Sequence, residues 1–91
     1  MPAPEHIPVV LLTRADCSLC DQAKTVLDQI AEDYPLRVRT VDLGSEEGQT
    51  LADHGGVLFP PGVLVDGRPF SYGRLSERRL RRELDRMSSC R

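Results

Sequence analysis

The apolar positions of this chain change period several times, and each change marks an element. Val9 to Thr13 is a short apolar run rich in branched side chains, the pattern of a strand buried on both faces at the centre of a sheet. From Cys17 the period becomes helical. Cys20, Ala23, Leu27 and Ile30 recur on one face with Val26 beside them, while Asp21, Lys24, Asp28 and Glu32 face outward. That helix is expected to end near Tyr34-Pro35. Alternation returns from Leu36 to Leu43, with Leu36, Val38 and Thr40 on one side and Arg37, Arg39 and Val41 on the other, predicting a second strand that ends in Asp42. Gly44-Ser45 turns the chain. Ser45 is placed to cap a short helix whose Glu46 and Glu47 suit the dipole, and Gly55-Gly56 stops it after about His54. Gly48 inside this helix reads as a weakness.

Two short runs, Val63 to Val65 and Arg68 to Phe70, flank Asp66-Gly67, the strongest hairpin signal in the sequence. Ser76 and Glu77 then open a last helix with Leu80, Leu84 and Met87 on one face, and Arg78, Arg79, Arg81, Arg82 and Arg86 around the rest. The predicted order is βαβαββα. A strand, helix, strand unit places its two strands parallel with a right-handed crossover, and a hairpin adds two antiparallel strands. The expectation is an α/β fold, a four-stranded mixed sheet with helices on both faces, whose polar ends carry the ligands. One domain is expected over residues 1–91, with an ordered core at about 8–87 and a loose arm holding Pro2, Pro4 and His6.

Composition narrows the function. With 91 residues there is room for one core only, and a net charge of −2 argues against general nucleic-acid binding. No apolar run approaches the ~20 residues that span a bilayer, and MPAPEHIP lacks the order of a signal peptide, so no membrane partner and a cytoplasmic location are expected. In a reducing compartment three cysteines make no disulfide framework, and a closely spaced pair points to catalysis or to a metal. A zinc site would need two more ligands, for which Cys90, His54 and His6 are the only soft candidates, none in a second close pair. No metal is expected, and Cys90 reads as a free thiol of the tail. Two thiols at this spacing, placed where a strand runs into a helix, can attack a disulfide with one sulfur and resolve the product with the other.

The order of elements and three motifs together resemble the glutaredoxin-like branch of the thioredoxin fold. The motifs are Thr13-Arg14-Ala15-Asp16-Cys17-Ser18-Leu19-Cys20, then Phe59-Pro60-Pro61-Gly62-Val63-Leu64-Val65-Asp66-Gly67, then Tyr72-Gly73-Arg74-Leu75-Ser76. The resemblance spans about Val9 to Met87. It implies a thiol-disulfide oxidoreductase with Cys17 as nucleophile and Cys20 as resolving thiol, cycling between a redox-active disulfide and a dithiol. The helix start favours a thiolate at Cys17, which agrees with that order. The resemblance further implies substrate contacts at Arg14, Leu19, Pro60, Pro61, Tyr72 and Gly73. Pro61 matches the cis proline that lies against the cysteine pair in that family, and Arg14 matches a cation expected to lower the thiol pKa or hold an anion, with Asp16 and Asp21 opposing it.

The departures concern the substrate. Family members pair the backbone of the residue before the cis proline with glutathione, and Pro60 has no N–H to donate. Leu19 replaces the aromatic residue common between the cysteines, and Tyr72-Gly73 with Arg74-Leu75-Ser76 replaces the loop that receives the charged end of glutathione. The substrate implied is a protein disulfide or a small-thiol mixed disulfide. No cofactor is bound, electrons come from glutathione, another small thiol or a reductase, and a monomer is expected. The alternative is a non-catalytic binding module of the same fold that docks a partner through the arginine-rich last helix.

Overall fold

The computed structural model describes residues 6–89; most of the expected N-terminal arm, and Cys90, lie outside the described residues. The elements follow the expected order: β1 Ile7–Thr13, α1 Ser18–Ala31, β2 Leu36–Asp42, α2 Glu46–Gly55, β3 Gly62–Val65, β4 Arg68–Tyr72 and α3 Glu77–Ser89. The strands lie in the order β2-β1-β3-β4. β1 pairs parallel with β2 from Ile7↔Leu36 to Thr13↔Asp42, and antiparallel with β3 from Val9↔Val65 to Leu12↔Gly62. β3 and β4 form the hairpin, with an irregularity between Val63 and Leu64. Asp66 and Gly67 at its tip have φ of 53° and 79°. Positive φ at both central residues gives a turn whose twist matches the strands, which is why Asp-Gly sits there.

The alternation of β1 divides the core in two. Val9 and Leu11, with Val63 and Val65 of β3, face Ala23, Val26, Leu27 and Ile30 of α1 and Leu80 and Leu84 of α3. Leu12 and Leu64 point the other way and cluster with Val41 of β2, with Leu43 just beyond it and with Ala52 of α2. One helix on one face and two on the other is the layered solution that buries a sheet with two apolar faces. Among the described residues no helix is long and apolar enough to cross a membrane.

Several boundaries differ from the sequence reading. β1 begins at Ile7 rather than Val9, because the Ile7 N–H donates to the Pro35 carbonyl at 2.8 Å and extends the parallel ladder. Pro8 is tolerated there because it faces the hairpin turn, where its carbonyl accepts from the Asp66 N–H at 2.8 Å. β4 continues two residues beyond Phe70, to Tyr72 opposite Gly62. α1 ends at Ala31, and the chain tightens through one more turn in which Asp33 and Tyr34 both donate to the Ile30 carbonyl.

Gly48 changes meaning. A Cβ on Gly48 would stand 2.0 Å from the Asp42 carbonyl oxygen and 2.9 Å from the Leu43 Cα. α2 crosses the end of β2 at a distance that only glycine permits, so the residue that weakens the helix locally is required by its packing.

Candidate active site

The register brings three loops to one edge of the sheet. Leu12 pairs with Gly62, and Gly62 with Tyr72, so these residues lie in a row across β1, β3 and β4. At ~4.8 Å between strands, Leu12 and Tyr72 are roughly 10 Å apart. The chain leaves β1 here toward the cysteines, enters β3 here through Pro60 and Pro61, and leaves β4 here through Gly73 to Ser76.

Asp16, with φ of 55°, turns the chain so that Cys17 becomes the N-cap of α1. Asp tolerates this left-handed conformation better than most residues. The Cys17 Sγ accepts from the Cys20 N–H at 3.1 Å, so sulfur takes the place usually held by a hydroxyl or carboxylate oxygen. The Cα atoms of Cys17 and Cys20 are 5.2 Å apart, and their sulfurs lie at bonding distance. Their environments differ. Cys17 is half-buried, while Cys20, one turn in, is 2% exposed and packed in the interior. Leu19 is half-buried between them. Arg14 is exposed and makes no ion pair among the described residues; Asp16 and Asp21, flanking the pair in sequence, are exposed as well.

Across the edge, the Pro60-Pro61 peptide is cis, as the resemblance anticipated for Pro61. Pro61 is fully buried, and its carbonyl accepts from the Gly73 N–H at 2.7 Å. Gly73 has φ of 78°, and a Cβ on it would meet the Phe59 ring at 2.8 Å. Phe59 packs edge-to-face on Tyr72, with ring centroids 5.0 Å apart. The residues expected at the site are therefore gathered at one edge, Arg14, Leu19 and the cysteines from one loop and helix start, Pro60, Pro61, Tyr72 and Gly73 from the other two loops.

The chain belongs to the glutaredoxin-like domain family. That family (DUF836) matches residues 8–85, which takes in the cysteine pair, the proline pair and most of α3. An uncharacterized protein of Mycobacterium tuberculosis and another of Mycobacterium bovis are each 35% identical over 82 residues, covering 86% of this chain and 82% of theirs. Among solved structures, a malarial protein superposes with a TM-score of 0.68 at 17% identity, covering 90% of this chain and 97% of its own. A mutant thioredoxin from Halobacterium salinarum gives 0.67 at 23%, covering 88% and 73%. At those identities the structural likeness speaks for the fold, a thioredoxin-like one.

Two features of this glutaredoxin-like site escaped the sequence reading. Gln22 clamps the loop after β4 to α1: its amide nitrogen donates to the Leu75 carbonyl at 3.1 Å and its oxygen accepts from the Leu75 N–H at 3.3 Å. A polar residue beside the core stripe of α1 was the available signal, but not its partner. Leu58 and Phe59 are 77% and 52% exposed, ahead of the proline pair and outside the sheet. Apolar residues directly before two prolines, with four strands already assigned, were the signal there.

The last helix is less free than its composition suggests. Arg81 bridges Asp33 at 2.8 Å and Glu77 at 2.9 Å, Arg86 pairs with Glu83, and Arg79 lies over the Phe70 ring at 5.6 Å. Arg78 and Arg82 are exposed. No group of three or more His, Cys, Asp or Glu side chains among the described residues is placed to hold a metal ion.

Proposed function

We propose that this glutaredoxin-like protein is a cytoplasmic, monomeric thiol-disulfide oxidoreductase that reduces protein disulfides in preference to glutathione mixed disulfides. The observation that carries the reading is the asymmetry of the cysteine pair. Cys17 is reachable at a helix N-cap that favours negative sulfur, and Cys20 is buried one turn behind it at bonding distance.

In the reductive direction the Cys17 thiolate attacks one sulfur of the target disulfide, forming a mixed disulfide and releasing the other target sulfur as a thiolate. Cys20, losing its proton to solvent, then attacks the Cys17 sulfur. The Cys17-Cys20 disulfide forms, the second target thiolate leaves, and two electrons have passed from the protein to the target. Two equivalents of a small thiol such as glutathione, or a dithiol reductase, restore the dithiol. No bound cofactor takes part. Arg14, Leu19, Pro60 and Tyr72 line the approach, and the buried Pro61 and Gly73, joined by the Gly73 N–H to Pro61 carbonyl bond, hold the two loops behind it. The preference for protein targets follows from Pro60, which offers no N–H to a backbone lying alongside it, and from a loop of Arg74, Leu75 and Ser76 in which only Arg74 is charged.

Cys20→Ser tests the reaction, because it stops resolution after the first attack. The variant is expected to accumulate mixed disulfides through Cys17 with cellular proteins, and Cys17→Ser to accumulate none. If Cys20→Ser traps no protein and no small thiol, the enzymatic reading fails. The rate of reduction of a protein disulfide against that of a glutathione mixed disulfide tests the preference, and faster turnover of the glutathione substrate would overturn it.

A further inference from the structure

We propose that Leu58, Phe59 and Tyr72 form a docking platform for a short protein segment bearing an apolar side chain next to its disulfide cysteine and a carboxylate farther along. The proposal rests on the thiol-disulfide reading above and specifies its substrate.

The large apolar side chains exposed among the described residues are Val38, Leu58, Phe59 and Tyr72; of these Phe59 and Tyr72 pack together at the end of the sheet that carries the cysteines, and Leu58 directly precedes Phe59 in the same loop. Leu58 is 77% exposed, so the fold gains little by burying it. The Phe59 ring is nevertheless held in place, with Tyr72 edge-on at 5.0 Å and Gly73 lacking the Cβ that would push it out. Its backbone leads through Pro60 and Pro61 to Gly62, the β3 partner of Leu12, and Cys17 follows β1 at that same end. A target disulfide seated on Cys17 would bring its flanking residues over this platform.

The size of the platform decides its occupant. Aromatic and large aliphatic side chains bring ~150–250 Å² each, so these three, part-exposed, offer roughly 300 Å². A stable dimer needs about 800 Å² per partner, which this edge does not supply, whereas two or three residues of an extended segment fit it.

Charge sets the second requirement. On the cysteine side one cation, Arg14, stands against two carboxylates, Asp16 and Asp21, so a substrate carboxylate is not favoured next to the sulfurs. On the Tyr72 side, Arg74 is exposed and has no ion pair among the described residues. A depression of about 310 Å³ adjoining Tyr72 is lined by Gly55, Pro69, Phe70, Ser71 and Arg79, again with no carboxylate. A segment running from the sulfurs toward β4 therefore crosses an apolar step and then reaches unopposed positive charge.

Pre-reduced protein, freed of reductant, is mixed with 2-hydroxyethyl disulfide and with two peptide disulfides of equal length. One has its cysteine flanked by Phe and Glu, the other by Ser and Lys. Each rate is divided by that of dithiothreitol with the same compound, which removes differences in intrinsic reactivity. The Phe-Glu peptide is expected to react about tenfold faster than the Ser-Lys peptide on this scale. Leu58→Ser and Phe59→Ser are each expected to cut that ratio several-fold, Arg74→Glu to shift it toward the Ser-Lys peptide, and Val38→Ser, on the opposite edge strand, to leave it in place. Leu58→Ser guards against a folding artefact, since so exposed a side chain has little part in the core. Equal rates for the two peptides, with 2-hydroxyethyl disulfide still reduced, would overturn the platform and leave the redox reading standing. A preference that survives both serine substitutions would also overturn it, and reduction of none of the three compounds would overturn both readings.

Discussion

Gly48 lies in the first turn of α2, where alanine is ordinarily the better helix former by about 1 kcal/mol. The packing reverses that preference. An alanine Cβ would lie 2.0 Å from the Asp42 carbonyl oxygen, 2.8 Å from its carbon and 2.9 Å from the Leu43 Cα, all backbone atoms. No rotamer change relieves the overlap, so helix and strand end must separate by about 1 Å. The Asp42 oxygen is fixed by two donors from Ser45, the backbone N–H at 3.0 Å and the hydroxyl at 2.6 Å. The Ser45 hydroxyl in turn accepts from the Gly48 N–H at 3.0 Å to cap α2. Retreat of the helix therefore strains its own cap and loosens Ala52 from Leu12, Val41 and Leu64.

Overpacking against backbone costs about 3 kcal/mol, the upper part of its range, and the gain in propensity returns about 1, so Gly48→Ala should destabilise by about 2 kcal/mol. For a chain of 91 residues that corresponds to a Tm lower by roughly 8–16 °C. Urea unfolding followed by far-UV circular dichroism, on the oxidised and the reduced protein, reads the change as a lower midpoint at unchanged slope. Gly44→Ala is the control, because its Cβ would meet only the movable Asp42 carboxylate at 3.4 Å, and it should cost well under ~1 kcal/mol. A Gly48→Ala protein as stable as the parent, or more stable, would refute the reasoning. The loss should also reach the cysteines, since the Leu43 N–H donates to the Thr13 carbonyl at 2.8 Å just before the Arg14–Cys17 turn.

Gln22→Ala removes both bonds to Leu75 and is expected to cost about 1–2 kcal/mol in urea unfolding, with faster hydrogen exchange at the Leu75 amide. The Ser71 Oγ is buried without a hydrogen-bond partner among the described residues, so Ser71→Ala should be neutral or raise stability by up to about 1 kcal/mol; a clear loss would reveal a partner for that hydroxyl. The carboxyls of Glu47 and Glu83 are held below their usual range chiefly by hydrogen bonds from Arg39 and Arg86. Their contribution is present above the unfolded carboxyl range and lost as pH falls through the depressed values, a small and salt-sensitive effect that Glu47→Gln with Glu83→Gln should flatten in a Tm-against-pH series. The Tyr34 phenol is raised above 10.0, chiefly by its hydrogen bond to Asp85. Its contribution is present below that pH and lost as pH rises through the raised value, and Tyr34→Phe should remove this alkaline component.

The elements were legible because their signals are local. The shift from an apolar run to helical period at Cys17, Ser45 and Ser76 as caps, and Asp66-Gly67 as a turn each depend on residues a few positions apart, and the Ser45 and Ser76 hydroxyls do accept from Gly48 and Arg79. Cys17 at a helix start followed from the same local pattern. What the chain hid depends on residues brought from far away. Gly48 looked like a defect because propensity sees only the helix, and the Asp42 carbonyl that demands glycine belongs to the neighbouring strand end. Gln22 looked unremarkable because Leu75 is 53 positions on. Leu58 and Phe59 looked like ordinary apolar residues, since only the completed four-stranded order shows that no place remains for them inside.

The same division runs through the site. The cysteine pair and its polarity, one sulfur at the N-cap and one buried, are products of a single stretch and could be read from it. The surroundings proposed to meet a substrate arise from the Leu12, Gly62 and Tyr72 register, which no local pattern encodes. A register shift of one residue would turn Tyr72 to the other face and move Gly73 from under Phe59. Substitutions in the hairpin or at its irregularity between Val63 and Leu64 should therefore change which disulfides are reduced more than whether one can be. On the proposed reading, the reaction resides in sequence-local chemistry and selectivity in long-range pairing.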